Sequence, residues 1–300
     1  MDFLVIGAQK AATSWLYRCL KEHPNIALPV QKYEVEYLGG NLSQIYGNDW
    51  YAGLIPSRQG AIRGDVSVEY LFDARSPKAV QEYAPEVKLI AVLREPIDRA
   101  ISAYAWSRRS LTASTQFPAT AEETFRIILD REYTGSPRIA AQLAELVTRG
   151  FYDTLLARWL DVFAANTFLI LTYDEIRNDP MQVLEKLYNF IGAPPNFTPE
   201  SLNSQPKRTN YTIPESAQTK RNKLTRLAVR AYEKLKTTYT ASDTHSTFRI
   251  SDQTRERLAT MFADSVQSTD VLLRQLPEKQ RPQEDLMLLW EYSAGIKSNT

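Results

Sequence analysis

Phe3-Leu4-Val5-Ile6 runs directly into Gly7-Ala8-Gln9-Lys10-Ala11-Ala12-Thr13-Ser14, and the character of the chain changes at Gly7. A short apolar run ending at glycine reads as a buried strand entering a turn. Trp15, Leu16, Cys19 and Leu20 then recur at helical spacing, with Thr13 or Ser14 as the cap and Pro24 and Pro29 beyond the end. The same grammar returns twice. Lys88-Leu89-Ile90-Ala91-Val92-Leu93 is a second apolar run, and Arg94-Glu95-Pro96 opens a helix with Ile97, Ile101 and Tyr104 on one face. Phe168-Leu169-Ile170-Leu171 is a third, followed by Tyr173-Asp174-Glu175 and a helix predicted from about Pro180 to Ile191. Continuous rather than alternating apolar strands, interleaved with amphipathic helices, predict an α/β fold with a central parallel sheet flanked by helices. Right-handed crossovers then put every strand-to-helix loop on one edge of that sheet.

The turn after the first strand carries the chemistry. Small residues bring backbone N–H groups to a helix N-terminus, where the positive dipole end favours an anion. Lys10 adds a full charge, and Thr13 and Ser14 add hydroxyls. The segment is not a Walker A loop, because its lysine follows Gly7 by three residues and precedes the small pair. An ordinary turn with a surface lysine is the competing reading. Arg94 ends the second strand and therefore shares the edge with that turn, and Ser102 lies about two helical turns further on. A solvated ion pair of Arg94 with Glu95 or Asp98 is the alternative there.

Composition narrows the classes. Of 300 residues, 36 are basic and 35 acidic, for a formal charge of +1, which argues against a general nucleic-acid binder. One cysteine and two well-separated histidines exclude a disulfide framework and a multi-cysteine zinc site, and no metal is expected. No run of 18 apolar residues occurs and Phe3–Ile6 is too short and wrongly flanked to read as a signal peptide, so a cytoplasmic chain without membrane contact is expected. One P-loop-like domain over residues 1–300 is expected, with a helical insertion at about 111–149 and a basic loop region at about 201–249.

Together the two anion segments resemble the PAPS-dependent sulfotransferase family, chiefly its bacterial and heparan-type carbohydrate branches; PAPS is 3′-phosphoadenosine 5′-phosphosulfate. The resemblance continues through Leu20-Lys21-Glu22-His23-Pro24, Gly64-Asp65-Val66-Ser67-Val68-Glu69-Tyr70, Gly150-Phe151-Tyr152 with Arg158-Trp159-Leu160, and Leu171-Thr172-Tyr173-Asp174-Glu175 with Asp179-Pro180. It covers most of residues 3–195. It implies that Lys10, Ala11, Ala12, Thr13 and Ser14 hold the 5′-phosphosulfate, with Lys10 near the bridging oxygen, and that Arg94 and Ser102 hold the 3′-phosphate. Many members carry glycine where Ala11 or Ala12 stands. A basic loop closing over the nucleotide is implied at Lys207-Arg208 or Lys220-Arg221.

For the base, the resemblance lands the family's glutamate on Glu34 within Lys32-Tyr33-Glu34-Val35-Glu36-Tyr37-Leu38. In an extended segment Glu36 would share its face, so one carboxylate is the base and the other an acceptor contact. Asp65, implied as a further catalytic residue, and Ser67 fall near the family's reaction centre, although Val66 stands where some heparan-type enzymes place a lysine. Trp50 and Tyr51 are candidates to line an acceptor pocket, or else core. His23 reads as a capping residue rather than a base. The expected enzyme moves a sulfuryl group from PAPS to an acceptor hydroxyl of a small metabolite, natural product or short glycan, less readily to an amine. A phosphate-loop small-molecule kinase and a non-catalytic nucleotide-binding module are the alternatives.

Overall fold

The computed structural model describes residues 1–30, 34–110, 117–204 and 248–292. The chain begins with β1 (Phe3–Gly7), α1 (Thr13–Glu22), β2 (Ile26–Ala27), α2 (Asn48–Gly53) and β3 (Ile62–Val66). Two helices, α3 (Glu69–Phe72) and α4 (Ser76–Tyr83), lead to β4 (Lys88–Leu93) and the long α5 (Pro96–Ser110). After α6 (Ala121–Asp130), α7 (Pro137–Thr148) and α8 (Tyr152–Leu160) come β5 (Phe168–Thr172), α9 (Tyr173–Asn178) and α10 (Pro180–Ile191). The described chain closes with α11 (Asp252–Leu273) and α12 (Leu286–Leu289).

All five strands are parallel, in the order β2-β3-β1-β4-β5. The connection leaving β1 travels toward β2, whereas the one leaving β4 travels toward β5. Their loops diverge, which opens a crevice at the carboxyl ends of β1 and β4, the usual ligand position in such sheets. Every residue of β1 and β5 is buried. Gly7 is needed where it stands: a Cβ there would lie 2.9 Å from the Cβ of Leu71 on α3.

The sheet class and the three apolar strands are as the sequence predicts. Two strands escaped it. β2 has only two residues, and β3 reads Ile-Arg-Gly-Asp-Val, which breaks an apolar run. In the fold Gly64 leaves room for the Phe3 ring, and Asp65 enters a buried polar network. The cap expectation is also corrected. Thr13 is the first residue of α1, and the capping position is Ala12, in left-handed conformation at φ 68° and without a side-chain cap bond. The predicted 111–149 insertion is helical where described, and α6 and α7 contribute Phe125 and Leu143 to the same buried cluster as β1. The basic region falls mostly at 205–247, outside the described residues.

Candidate active site

The loop leaving β1 is bent at two non-glycine residues of positive φ, Lys10 at 70° and Ala12 at 68°. Such turns curl backbone amides around a concavity suited to an anion. Ala11 is wholly buried, so only a small side chain fits beneath the loop. The Lys10 ammonium lies 5.9 Å from the centroid of the Trp106 ring on α5, close enough for a cation–π contact. Arg94, at the end of β4, reaches across the crevice and donates from Nη1 to the Lys10 carbonyl at 3.1 Å. Its guanidinium sits 4.5 Å over the Tyr173 ring, which the end of β5 delivers. The expected alternative, an Arg94 ion pair with Glu95 or Asp98, does not form. Glu95 instead accepts from the Ile97 and Asp98 amides at 2.9 and 2.7 Å and so caps α5.

A second cluster supports the segment that carries the two glutamates. Asp65 is 1% exposed. Its Oδ2 accepts from Tyr51 at 2.8 Å, Tyr70 at 2.9 Å and Ser67 at 3.3 Å, while Oδ1 accepts from the Val66 amide at 2.7 Å. With their protons given to Asp65, the hydroxyls of Ser67 and Tyr70 are acceptors toward the next layer. Ser67 takes the Glu36 amide and Tyr70 the Tyr37 amide, each at 3.2 Å. Burial pushes the Asp65 carboxyl up from its usual range, and its four hydrogen bonds pull back toward the charged form. Burial, then the charge of Asp65, holds the Tyr51 phenol well above its ordinary value, and Tyr70 likewise. The arrangement fastens Glu34–Tyr37 over the end of β3, on the edge that also carries the β1 loop and Arg94.

The model of the Sulfotransferase domain family matches residues 1–257. The chain belongs to this sulfotransferase family. Among its relatives is the mouse bifunctional heparan sulfate N-deacetylase/N-sulfotransferase 4, 29% identical over 214 residues, covering 69% of this chain and 24% of that protein. The human bifunctional heparan sulfate N-deacetylase/N-sulfotransferase 3 is 30% identical over 211 residues, covering 65% and 22%. The chain thus spans about a quarter of the length of these curated relatives. A crystal structure of a sulfotransferase from Alicyclobacillus acidocaldarius has the same fold, with a TM-score of 0.64, 23% identity and coverage of 91% of this chain and 95% of that one.

Within this sulfotransferase fold several expectations change. Glu34 and Glu36 have φ of 60° and 55°, so the segment is not extended and a strand-like shared face does not follow. Both are partly buried around the fully buried Val35. Tyr51 has no exposed surface and belongs to the core with Asp65, so it cannot line an acceptor pocket. Asp65 is sealed in the same way and offers no face to an acceptor. Trp50 is partly exposed and stacks on Tyr46, rings 4.2 Å apart, beside the exposed Ile45. Ser102 is partly exposed on α5. Lys207, Arg208, Lys220 and Arg221 lie outside the described residues, as do Lys32 and Tyr33. His23 caps as expected: its Nδ1 accepts from the Asn25 amide and its Nε2 faces the Pro194 carbonyl, both at 3.1 Å.

The sequence reading missed four aromatic residues. Tyr173 underlies Arg94, Trp106 faces Lys10, Tyr70 links Asp65 to Tyr37, and Tyr152 accepts from the Arg94 amide and donates to its carbonyl at 2.8 Å. Tyr70, Tyr152 and Tyr173 all stand in segments that carry the resemblance, and Tyr173 also follows an apolar strand directly and so lands on the functional edge; Trp106 lies in none of them. Among the described residues, no helix is long and apolar enough to cross a membrane.

Proposed function

We propose that this chain transfers the sulfuryl group of PAPS to an acceptor hydroxyl of a small metabolite, natural product or short glycan. The observation carrying this reading is the Arg94–Lys10 hydrogen bond, which couples the two anion segments across the crevice. The residues fit the donor. Arg94 Nε is buried with no hydrogen-bond partner among the described residues, the kind of orphaned atom that an oxygen of the 3′-phosphate would satisfy. Lys10 and the start of α1 suit the 5′-phosphosulfate, with Ala11, Ala12, Thr13 and Ser14 around it and Ser102 toward the 3′-phosphate. When bound, the donor supplies a sulfuryl group whose S–O bond to the bridging oxygen breaks as the acceptor oxygen bonds sulfur, the electron pair staying on the phosphate. Lys10 stabilises that developing charge from a fixed position. Glu34 takes the proton from the acceptor hydroxyl, Glu36 contacts the acceptor, and Trp50 walls its site.

A second reading has an amine as acceptor, and the names of the curated relatives, which are N-sulfotransferases, favour it. Labelled PAPS offered with panels of hydroxyl and amine acceptors separates the two. Turnover should be independent of ATP and Mg²⁺, and 3′-phosphoadenosine 5′-phosphate (PAP) should bind where ATP does not. Glu34→Gln should lower turnover about 10²-fold or more while PAP affinity is kept. Unchanged turnover in Glu34→Gln removes the base assignment, and tighter binding of ATP than of PAP removes the donor assignment.

A further inference from the structure

Beyond α12, and past the last residue that the family model matches, the chain makes one short turn over residues 290–292. That turn touches the surroundings of Arg94 three times. The Tyr292 hydroxyl donates to Glu95 Oε1 at 2.7 Å. The Trp290 indole N–H donates to Asp174 Oδ2 at 3.1 Å. The Trp290 ring also packs against Tyr152, centroids 6.2 Å apart, and Tyr152 is the side chain that holds the Arg94 backbone.

Glu95 and Asp174 are the immediate neighbours of Arg94 and of Tyr173, the ring beneath it. A carboxylate loose at either place would capture the guanidinium or repel an incoming phosphate. Each instead has an oxygen tied to the 290–292 turn. Glu95 is held further by two α5 amides and by Arg255 at 3.9 Å, so its charge is taken up by partners other than Arg94. Among the described residues, the Arg94 side chain keeps the Lys10 carbonyl and the Tyr173 face.

We propose that the 290–292 turn is a positioning strap: by holding Glu95 and Asp174 it keeps the Arg94 guanidinium aimed into the crevice for the 3′-phosphate. Tyr292 and Trp290 are positioning residues, touching no substrate. The inference rests on the donor reading above. Its test compares PAP with adenosine 5′-monophosphate, which differs only in lacking the 3′-phosphate, by calorimetric titration of the full chain.

Tyr292→Phe should weaken PAP about five- to tenfold and leave the monophosphate within about twofold, because only Arg94's aim changes. In an Arg94→Ala background the same exchange should have no further effect on PAP, since residues acting through one group are not additive. Trp290→Phe, which keeps a ring against Tyr152 and deletes the bond to Asp174, should shift the same ratio and serves if Tyr292→Phe folds poorly. Equal weakening of both ligands, or an undiminished effect in the Arg94→Ala background, overturns the strap. If Arg94→Ala alone leaves the preference for PAP as in wild type, the donor reading fails, and the strap with it.

Discussion

An Asp65→Asn exchange keeps the volume of the side chain and changes which way its hydrogen bonds run. Three hydroxyls donate to Oδ2. An amide nitrogen there can accept from none of them, and an amide oxygen there turns the nitrogen against the Val66 N–H. With the nitrogen at the Oδ2 place, Ser67 and Tyr70 would have to reverse, turning their protons on the Glu36 and Tyr37 amides; with the oxygen there, the Val66 amide faces a donor. The expected loss is about 2 kcal/mol or more of stability by urea unfolding. Turnover should drop with it, while PAP affinity holds. Lost turnover at unchanged stability would instead make Asp65 a chemical participant. The pH dependence has a definite sign. Burial raises the folded pKa of Asp65, so the native chain takes up a proton where the unfolded chain does not. That contribution is fully present below the unfolded carboxyl value and is lost as pH rises through the folded one. The stability gap between wild type and Asp65→Asn should therefore be widest in acid and narrow upward. Sequence could point to Asp65 by resemblance, but not to its role. Nothing in the spacing of Tyr51, Asp65 and Tyr70 says that three strand and helix ends bring them into one buried cluster.

Among the elements, α3 is the short piece on which the β1 loop leans, through Leu71 against Gly7. Its own anchor is Arg149, which follows α7. The guanidinium meets both Glu69 oxygens at 2.8 Å, meets Glu145 at 2.8 Å, and lies 4.1 Å over the Phe72 ring. Arg149→Met keeps the apolar stem over Phe72 and deletes every charged bond. Because the side chains of Glu69 and Glu145 are 31% and 44% exposed, both can return to water. The cost should be about 2 kcal/mol, below the roughly 3–5 kcal/mol of breaking a fully buried pair. PAP should bind more weakly as the loop loosens, and unfolding and titration on one sample check both. Unchanged PAP affinity would mean that α3 does not govern the loop. Elements were legible where burial dictates composition: β1, β4 and β5 are covered on both faces and so spelled in apolar residues. β3 was illegible because its middle serves two other purposes, space for Phe3 and acid for the hydroxyl cluster. The cap of α1 was misread because its backbone turns left-handed at Ala12, leaving Thr13 inside the helix.

Over the whole molecule, the two halves of the proposed centre hang from different parts of the sheet. The β1 loop and Arg94 are rooted in β1 and β4, each with a neighbouring strand on both sides. The glutamate segment is tied by two amides to hydroxyls beyond β3, whose outer neighbour is the two-residue β2. Opening β1 means undoing both its ladders, whereas 34–37 lies in no strand or helix and its Glu36 and Tyr37 amides are held by side-chain hydroxyls rather than by a ladder. In deuterium uptake followed by mass spectrometry, β1 and β4 amides should be the last to exchange. Those of Glu36 and Tyr37 should exchange orders of magnitude sooner. Saturating PAP then has little left to slow in β1, and its protection should register on the glutamate segment if the two halves are energetically joined. Protection confined to the loop after β1 would mean that the donor is captured by a scaffold already set, and that the acceptor side is assembled only when the acceptor arrives.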